Sequence, residues 1–185
     1  MSEIHPIRGL AAGLLAGCAA SWVMNQFQQM RPLQQPPASG DGKSPAPRQA
    51  DPQEHKEHQG LHQSDEADEN ATVKTARRIS RQVFQHELTS TEKNLAGPAV
   101  HYAYGSLVGA LYGGLAEILP GVSVGAGLPF GFALWLLGDE IAVPALDLGK
   151  HPKEYPAEVH ADALAAHFMY GATTDLMRRV LRHVL

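Results

Sequence analysis

The chain has 185 residues and a formal net charge of −4, which leaves room for one domain and excludes a nucleic-acid or strongly acidic partner on charge grounds. Its single cysteine, Cys18, excludes an intrachain disulfide. The mean hydropathy is mildly negative, but it averages an almost wholly polar stretch, 31–70, with three apolar, glycine-rich ones.

The first apolar stretch is Gly9–Met24, sixteen residues between Arg8 and Asn25. Gly9, Gly13, Gly17 and Ser21 recur every fourth residue and so stack on one helix face, where small side chains let backbones approach closely in lipid. Leu15-Ala16-Gly17-Cys18 also has the form of a lipobox. The apolar run, however, continues past Cys18 through Trp22, Val23 and Met24, and the basic n-region of a secretory signal is thin. Residues 1–30 are therefore read as a first membrane helix, with a lipoprotein-type signal ending at Cys18 as the alternative. Residues 31–71 follow with six prolines, many glutamines, histidines and mixed charges, a composition that cannot offset its ordering entropy and reads as a disordered linker. The histidines at 55, 58, 62 and 86 offer loose metal ligands, against the blander reading of a solvated tether.

From Thr72 the pattern becomes helical and basic. Val73, Ala76, Ile79, Val83 and Leu88 fall near helical spacing, with Lys74, Arg77, Arg78 and Arg81 elsewhere on the surface. Residues 72–97 are expected to form a basic amphipathic helix, lying on lipid headgroups or packed on a bundle. Between Pro98 and Leu137, forty residues carry only two ionisable side chains apart from tyrosines, His101 and Glu117. Crossing a hydrocarbon core of about 30 Å takes roughly 20 apolar residues. Pro98–Leu119 and Val122–Val143, divided by Pro120-Gly121, each meet that length and predict a transmembrane hairpin. A last stretch, Ala157 to Val180, holds His160, Asp162, His167 and Asp175 and ends in Arg178-Arg179-Val180-Leu181-Arg182, a cationic anchor for a membrane surface. A soluble amphipathic helix is the alternative there. Residues 98–185 together read as a membrane helical bundle.

Helical rise turns the Pro120-Gly121 turn into a ruler. His101 lies nineteen residues before Pro120 and Asp139 eighteen after Gly121, each close to 28 Å from the turn at about 1.5 Å per residue. They share one membrane face with Glu140, and the short connection Pro144–Pro156 returns the chain there. His160 then lies at similar depth and His167 about 10 Å deeper on the same helix side. Glu117, Asp175, Arg178 and Arg179 collect at the opposite face, where Glu117 is expected to pair with an arginine. Trp22, Tyr102, Tyr104 and Trp135 fall toward the His101 face as an interfacial aromatic belt. Ionisable groups inside a bilayer are costly and call for a reason. His101, Asp139, Glu140, His160 and His167 are ligand types for a divalent first-row metal, and histidine relays protons near neutral pH. The alternative is a hydrogen-bonded cluster that only holds helices together. There is no compact ligand motif such as His-Glu-x-x-His.

His101, Gly105, Tyr112, Glu117 and Pro120, then Gly127, Gly131 and Pro144, then His167 with Arg178-Arg179 and Arg182, resemble the YagU-like family of small bacterial inner-membrane proteins. The resemblance covers residues 98–182, with Gly9–Met24 only loosely similar. The linker and basic helix at 31–97 depart from its pattern, and Asp139 stands where a histidine is expected. The resemblance implies an all-helical, inner-membrane location and carries no established activity.

The fold expected is all-α: a polytopic, glycine-packed membrane bundle of about four spanning helices, with a disordered polar linker after the first. The leading function is a non-enzymatic component of the bacterial inner membrane, its His/Asp/Glu cluster stabilising the bundle or sensing protons. The alternatives are a small proton or metal-ion transporter or channel acting as a homo-oligomer, and an intramembrane metalloenzyme using the same residues. The partners expected are the lipid bilayer and further copies of the chain. The balance of Lys and Arg between the faces leans toward both termini in the cytoplasm.

Overall fold

Helix α1 (Pro6–Gln29) is nucleated by Pro6 at its first position, where a missing N–H costs nothing, and runs unbroken across Cys18. The computed structural model describes residues 5–30 and 71–184. The linker expected over 31–71 therefore lies outside the described residues, apart from Ala71. Helix α2 (Ala71–Ile79) continues as a π-helical turn, Ser80–Phe84. Helix α3 spans Ser90–Ile118, α4 spans Leu128–Ala145 with a π-helical stretch at Leu136–Ala142, and α5 spans Ala157–Val184. Short 3-10 turns, Pro120–Ser123 and Pro152–Glu154, join the last three helices. The described residues contain no strand.

Two boundaries differ from those expected. The basic segment is not one helix over 72–97. It stops at Phe84 because Gln85 turns into the left-handed region at φ 51°, and a new helix starts at Ser90. Thr89 caps that start in a box with Glu92: Glu92 N–H donates to Thr89 Oγ1, and Thr89 N–H donates to Glu92 Oε2 at 2.7 Å. Pro98 therefore lies inside α3, where it removes one backbone bond without ending the helix. The second arm begins at Leu128 rather than Val122. Gly125, Ala126 and Gly127 all take positive φ to reverse the chain first.

α1 occupies the middle. It packs against α3 on one side and α5 on the other, while α4 covers α5 and α2 covers the N-terminal half of α3. α1 and α3 run antiparallel, Gly9 lying by Gly113, Gly17 by Gly105, and Asn25 Nδ2 donating to Tyr102 Oη. A Cβ on Gly109 would lie 2.7 Å from Gly17 Cα, and one on Gly13 would lie 2.9 Å from Gly113 Cα. α4 and α5 meet in the same manner, a Cβ on Gly171 falling 2.8 Å from Gly131 N. The interior is accordingly small or polar. Ala12, Ala16, Ala20, Ser21 and Thr174 are fully buried, together with Tyr112 and Tyr170, and Phe130 stacks on Tyr112 at 4.4 Å. The large aliphatic side chains point outward: Leu107 and Leu111 are each 62 % exposed and Leu137 60 %. By length and apolar composition, α1 and α4 are able to cross a membrane. α3 and α5 are longer but dilute their apolar residues with glycine, tyrosine, histidine and charge.

Candidate functional site

The polar residues gather at the two ends of the bundle. At the turn end, α3 delivers Glu117 from its last turn. α5 delivers Asp175, Arg178, Arg179 and Arg182, spaced i, i+3, i+4 and i+7, so that one helix side faces Glu117 and the connection after it. Arg182 grips Glu117 with two parallel bonds, Nε to Oε1 at 2.6 Å and Nη2 to Oε2 at 2.9 Å. Asp175, only 2 % exposed, accepts from Tyr112 Oη at 2.9 Å, from Arg178 Nη2 at 3.3 Å and from Arg179 Nε at 2.8 Å. Arg178 also donates to Ser123 Oγ at 3.1 Å and lies 3.7 Å from Glu117, and Arg179 donates to the Ser123 carbonyl at 3.0 Å. Both carboxylates are thus saturated by cationic donors and offer no base for proton abstraction. The pairing of Glu117 with an arginine agrees with expectation. Tyr112 and Ser123 are additions, and only the fold shows that they reach Asp175 and its arginines.

At the other end the structure brings the five expected site residues into two pairs rather than one group. His160 Nδ1 meets Glu140 Oε1 at 2.5 Å and its Nε2 meets the Pro152 carbonyl at 2.9 Å. Both ring nitrogens face acceptors, an arrangement that only an imidazolium satisfies at both, which leaves no lone pair for a metal. His167 Nδ1 donates to the Ala163 carbonyl one turn back at 2.8 Å and lies 3.7 Å from Asp139 Oδ2. His101 sits beside the Ser21 backbone within electrostatic reach of His167. Among the described residues no group of three or more His, Cys, Asp or Glu is placed to hold a metal ion. The physical reason is azimuth: α4 presents Asp139 and Glu140 at adjacent positions about 100° apart, so each meets a different turn of α5.

A family model described as "Protein of unknown function (DUF1440)" matches residues 70–176. The chain belongs to this family. No curated protein and no solved structure matches it. The DUF1440 match begins with α2, so the basic helix lies within the family's region and is not an addition to it. It takes in Glu117, Asp139, Glu140, His160, His167 and Asp175, whereas α1 and the three clasping arginines lie outside it.

Outside the bundle, Glu92 is held far below the usual carboxylate range, at about 2. The Thr89 backbone N–H, the Thr89 hydroxyl and His86 all bond its charged form. This is a helix-start device rather than a reactive group.

Proposed function

We propose that this DUF1440 protein is a multi-pass integral membrane protein, with α1, the Pro98–Ile118 part of α3, α4 and α5 crossing the bilayer in a glycine-packed four-helix bundle, and that it acts as a non-enzymatic component of an inner membrane. The observation that carries the reading is the inverted distribution of side chains. Glycine, alanine and hydrogen-bonded polar groups fill the inside while Leu107, Leu111, Leu137 and their neighbours cover the outside. In water that exterior is an exposed apolar patch with no partner; in hydrocarbon it is the ordinary surface, and close backbone packing replaces the missing hydrophobic drive. At about 1.5 Å per residue the four helices are long enough for a core of about 30 Å. The ion-paired clasps act as ties between helices at the two faces. Alkaline carbonate washing of membranes tests the location: retention in the pellet is expected, and recovery as a folded, soluble monomer would end this reading.

A second reading, proton transport by an oligomer, draws on one feature. α5 carries His160, His167, Thr174, Asp175, Arg178 and Arg182 along its length, a polar stripe through an otherwise apolar layer. Proteoliposomes with a pH-sensitive dye inside test it: flux above that of protein-free vesicles, and its loss in His167→Gln, would displace the non-transport reading.

A further inference from the structure

The largest pocket lies apart from both clasps, between α2 and the loop that follows α4. It is a cavity of about 270 Å³ lined by Lys74, Arg77, Arg78 and Arg81 with Asp147 and Leu148. The four cations fall at i, i+3, i+4 and i+7 and so form one continuous face of α2. The other side of the helix is seated on α3, where Val73 lies against Gly97 and Ala76 is buried. The facing wall is fixed. Leu146, Asp147 and Leu148 bond back through their N–H groups to Ala142, Pro144 and Val143, and Arg78 Nη1 ties α2 to the Leu146 carbonyl at 2.9 Å. The charge is unbalanced. Asp147 is the one carboxylate lining the cavity, and Glu87 pairs with Arg81 outside it at 2.5 Å, so cations remain in excess after both are counted. Such a concave, low-dielectric wall of one sign concentrates anions.

We propose that this cavity is a binding site for a phosphate group, presented by an anionic lipid headgroup at the membrane surface. Its volume falls below the roughly 300–1,000 Å³ of drug-sized ligand sites, which suits a headgroup and not a whole lipid. Arginine forks match phosphate oxygens in pairs, and Lys74 adds a mobile point charge. The surroundings supply the second half of an amphipathic ligand's needs. Ile79, Val83 and Phe84 on α2 and its π turn, and Leu146 beside the cavity, are all exposed apolar side chains flanking the basic face. The cavity sits at the end of α4 next to Glu140, the level at which α4 leaves the hydrocarbon in the proposed bundle, so the lipid source rests on the membrane reading while the phosphate chemistry does not.

The test uses the full chain, delipidated in a neutral detergent and titrated calorimetrically at constant ionic strength with dihexanoyl phosphatidylglycerol, dihexanoyl phosphatidylcholine and inorganic phosphate. Phosphatidylglycerol is expected to bind with phosphatidylcholine at least about tenfold weaker, since the choline cation opposes the lining. Lys74→Gln with Arg81→Gln should weaken that binding about thirtyfold, and Asp147→Asn should tighten it about fivefold. Asn tolerates the left-handed backbone at position 147, where φ is 53°, so that variant folds and moves affinity in the opposite direction. Inorganic phosphate binding as tightly as phosphatidylglycerol would keep the phosphate site and assign it to the free ion. No binding by either probe, or binding that neither variant changes, overturns the proposal. Carbonate washing of the same variants separates the two failures, because a protein retained in membranes that ignores both probes refutes only this site.

Discussion

Gly109→Leu puts the packing argument under the most direct strain. A Cβ at this position would lie 2.7 Å from Gly17 Cα and 3.0 Å from Gly17 N, both backbone atoms of α1. Carbon atoms rest at about 3.5–4.0 Å, so a single methyl demands that α1 and α3 part by roughly 1 Å. No rotamer relieves this, because the obstacle is main chain. Parting the helices by that distance loses dispersion along the whole Gly9–Gly113 to Gly17–Gly105 seam, and the three remaining leucine carbons enlarge the gap. Overpacking of this kind costs about 1–3 kcal/mol at one site in a well-filled core, and the upper end applies where backbone meets backbone. In a chain of this size that is a fall in Tm of several degrees, at about 2–4 °C per kcal/mol. Leu107→Ala is the matched control two residues away. Its side chain is 62 % exposed on the outer face and its removal should stay within about 0.5 kcal/mol. Thermal unfolding of both variants in the same detergent reads the difference. Equal losses, or a larger loss for Leu107→Ala, would mean that α1 and α3 do not meet along this face.

Glu117→Ala should be severe, about 3–5 kcal/mol, because it strands Arg182 and the buried Arg178 near Asp175 alone; Glu87→Ala, which removes the exposed partner of Arg81, should leave Tm unchanged. The two-pair arrangement predicts that Glu140→Gln with His160→Gln costs less than the sum of the singles by about 0.5–3 kcal/mol. Asp139→Asn with His160→Gln should instead be additive, and the reverse pattern would restore one shared cluster. Glu92 gives a pH dependence with a definite sign. Its folded value is depressed from 4.5 to about 2, so its stabilisation of the α3 start is present above about 4.5 and is lost as pH falls through about 2. Amide exchange at Ser90–Glu92 should therefore speed up across that window in the native chain and not in Glu92→Gln; identical profiles would remove the capping box from the account.

Depth was legible in the sequence because helical rise is nearly constant. Counting from Pro120-Gly121 places Glu140 level with His160, and puts Glu117 at the same end as Arg178 and Arg179; the structure bonds Glu140 to His160 and brings Arg178 near Glu117. Azimuth was not legible, and it decides whether five residues at similar depth converge. His167 shows why: its Nδ1 is spent on the Ala163 carbonyl of its own helix, a local bond that no ligand pattern reveals. The start of α3 was written in the chain as Thr89-x-x-Glu92, but Pro98 at the edge of the apolar run gave the stronger apparent boundary. The π-helical stretch at Leu136–Ala142 leaves no compositional mark, and neither does the loop that closes the basic cavity. The Lys74, Arg77, Arg78 and Arg81 spacing showed a charged helix face without showing what lay opposite.

The arrangement also assigns α1 a role that its position outside the family's matched region conceals. α3 and α5 barely touch along their backbones; what joins them directly is polar, Tyr112 to Asp175, Arg182 to Glu117, and the Tyr170 hydroxyl to the Gly105 carbonyl at 2.5 Å. Elsewhere α1 lies between them, its Gly9, Gly13 and Gly17 against α3 and its Ala20 and Met24 packed with Ala166 and Tyr170 of α5. A glycine stripe on α3 stabilises nothing by itself in lipid, since it only permits close approach by a partner backbone. Without α1 the Gly105, Gly109 and Gly113 face would meet lipid tails, which cannot follow its contour as closely as a second helix does. The polar bonds fix the relative depth of α3 and α5, and α1 supplies the contact area that makes that depth stable.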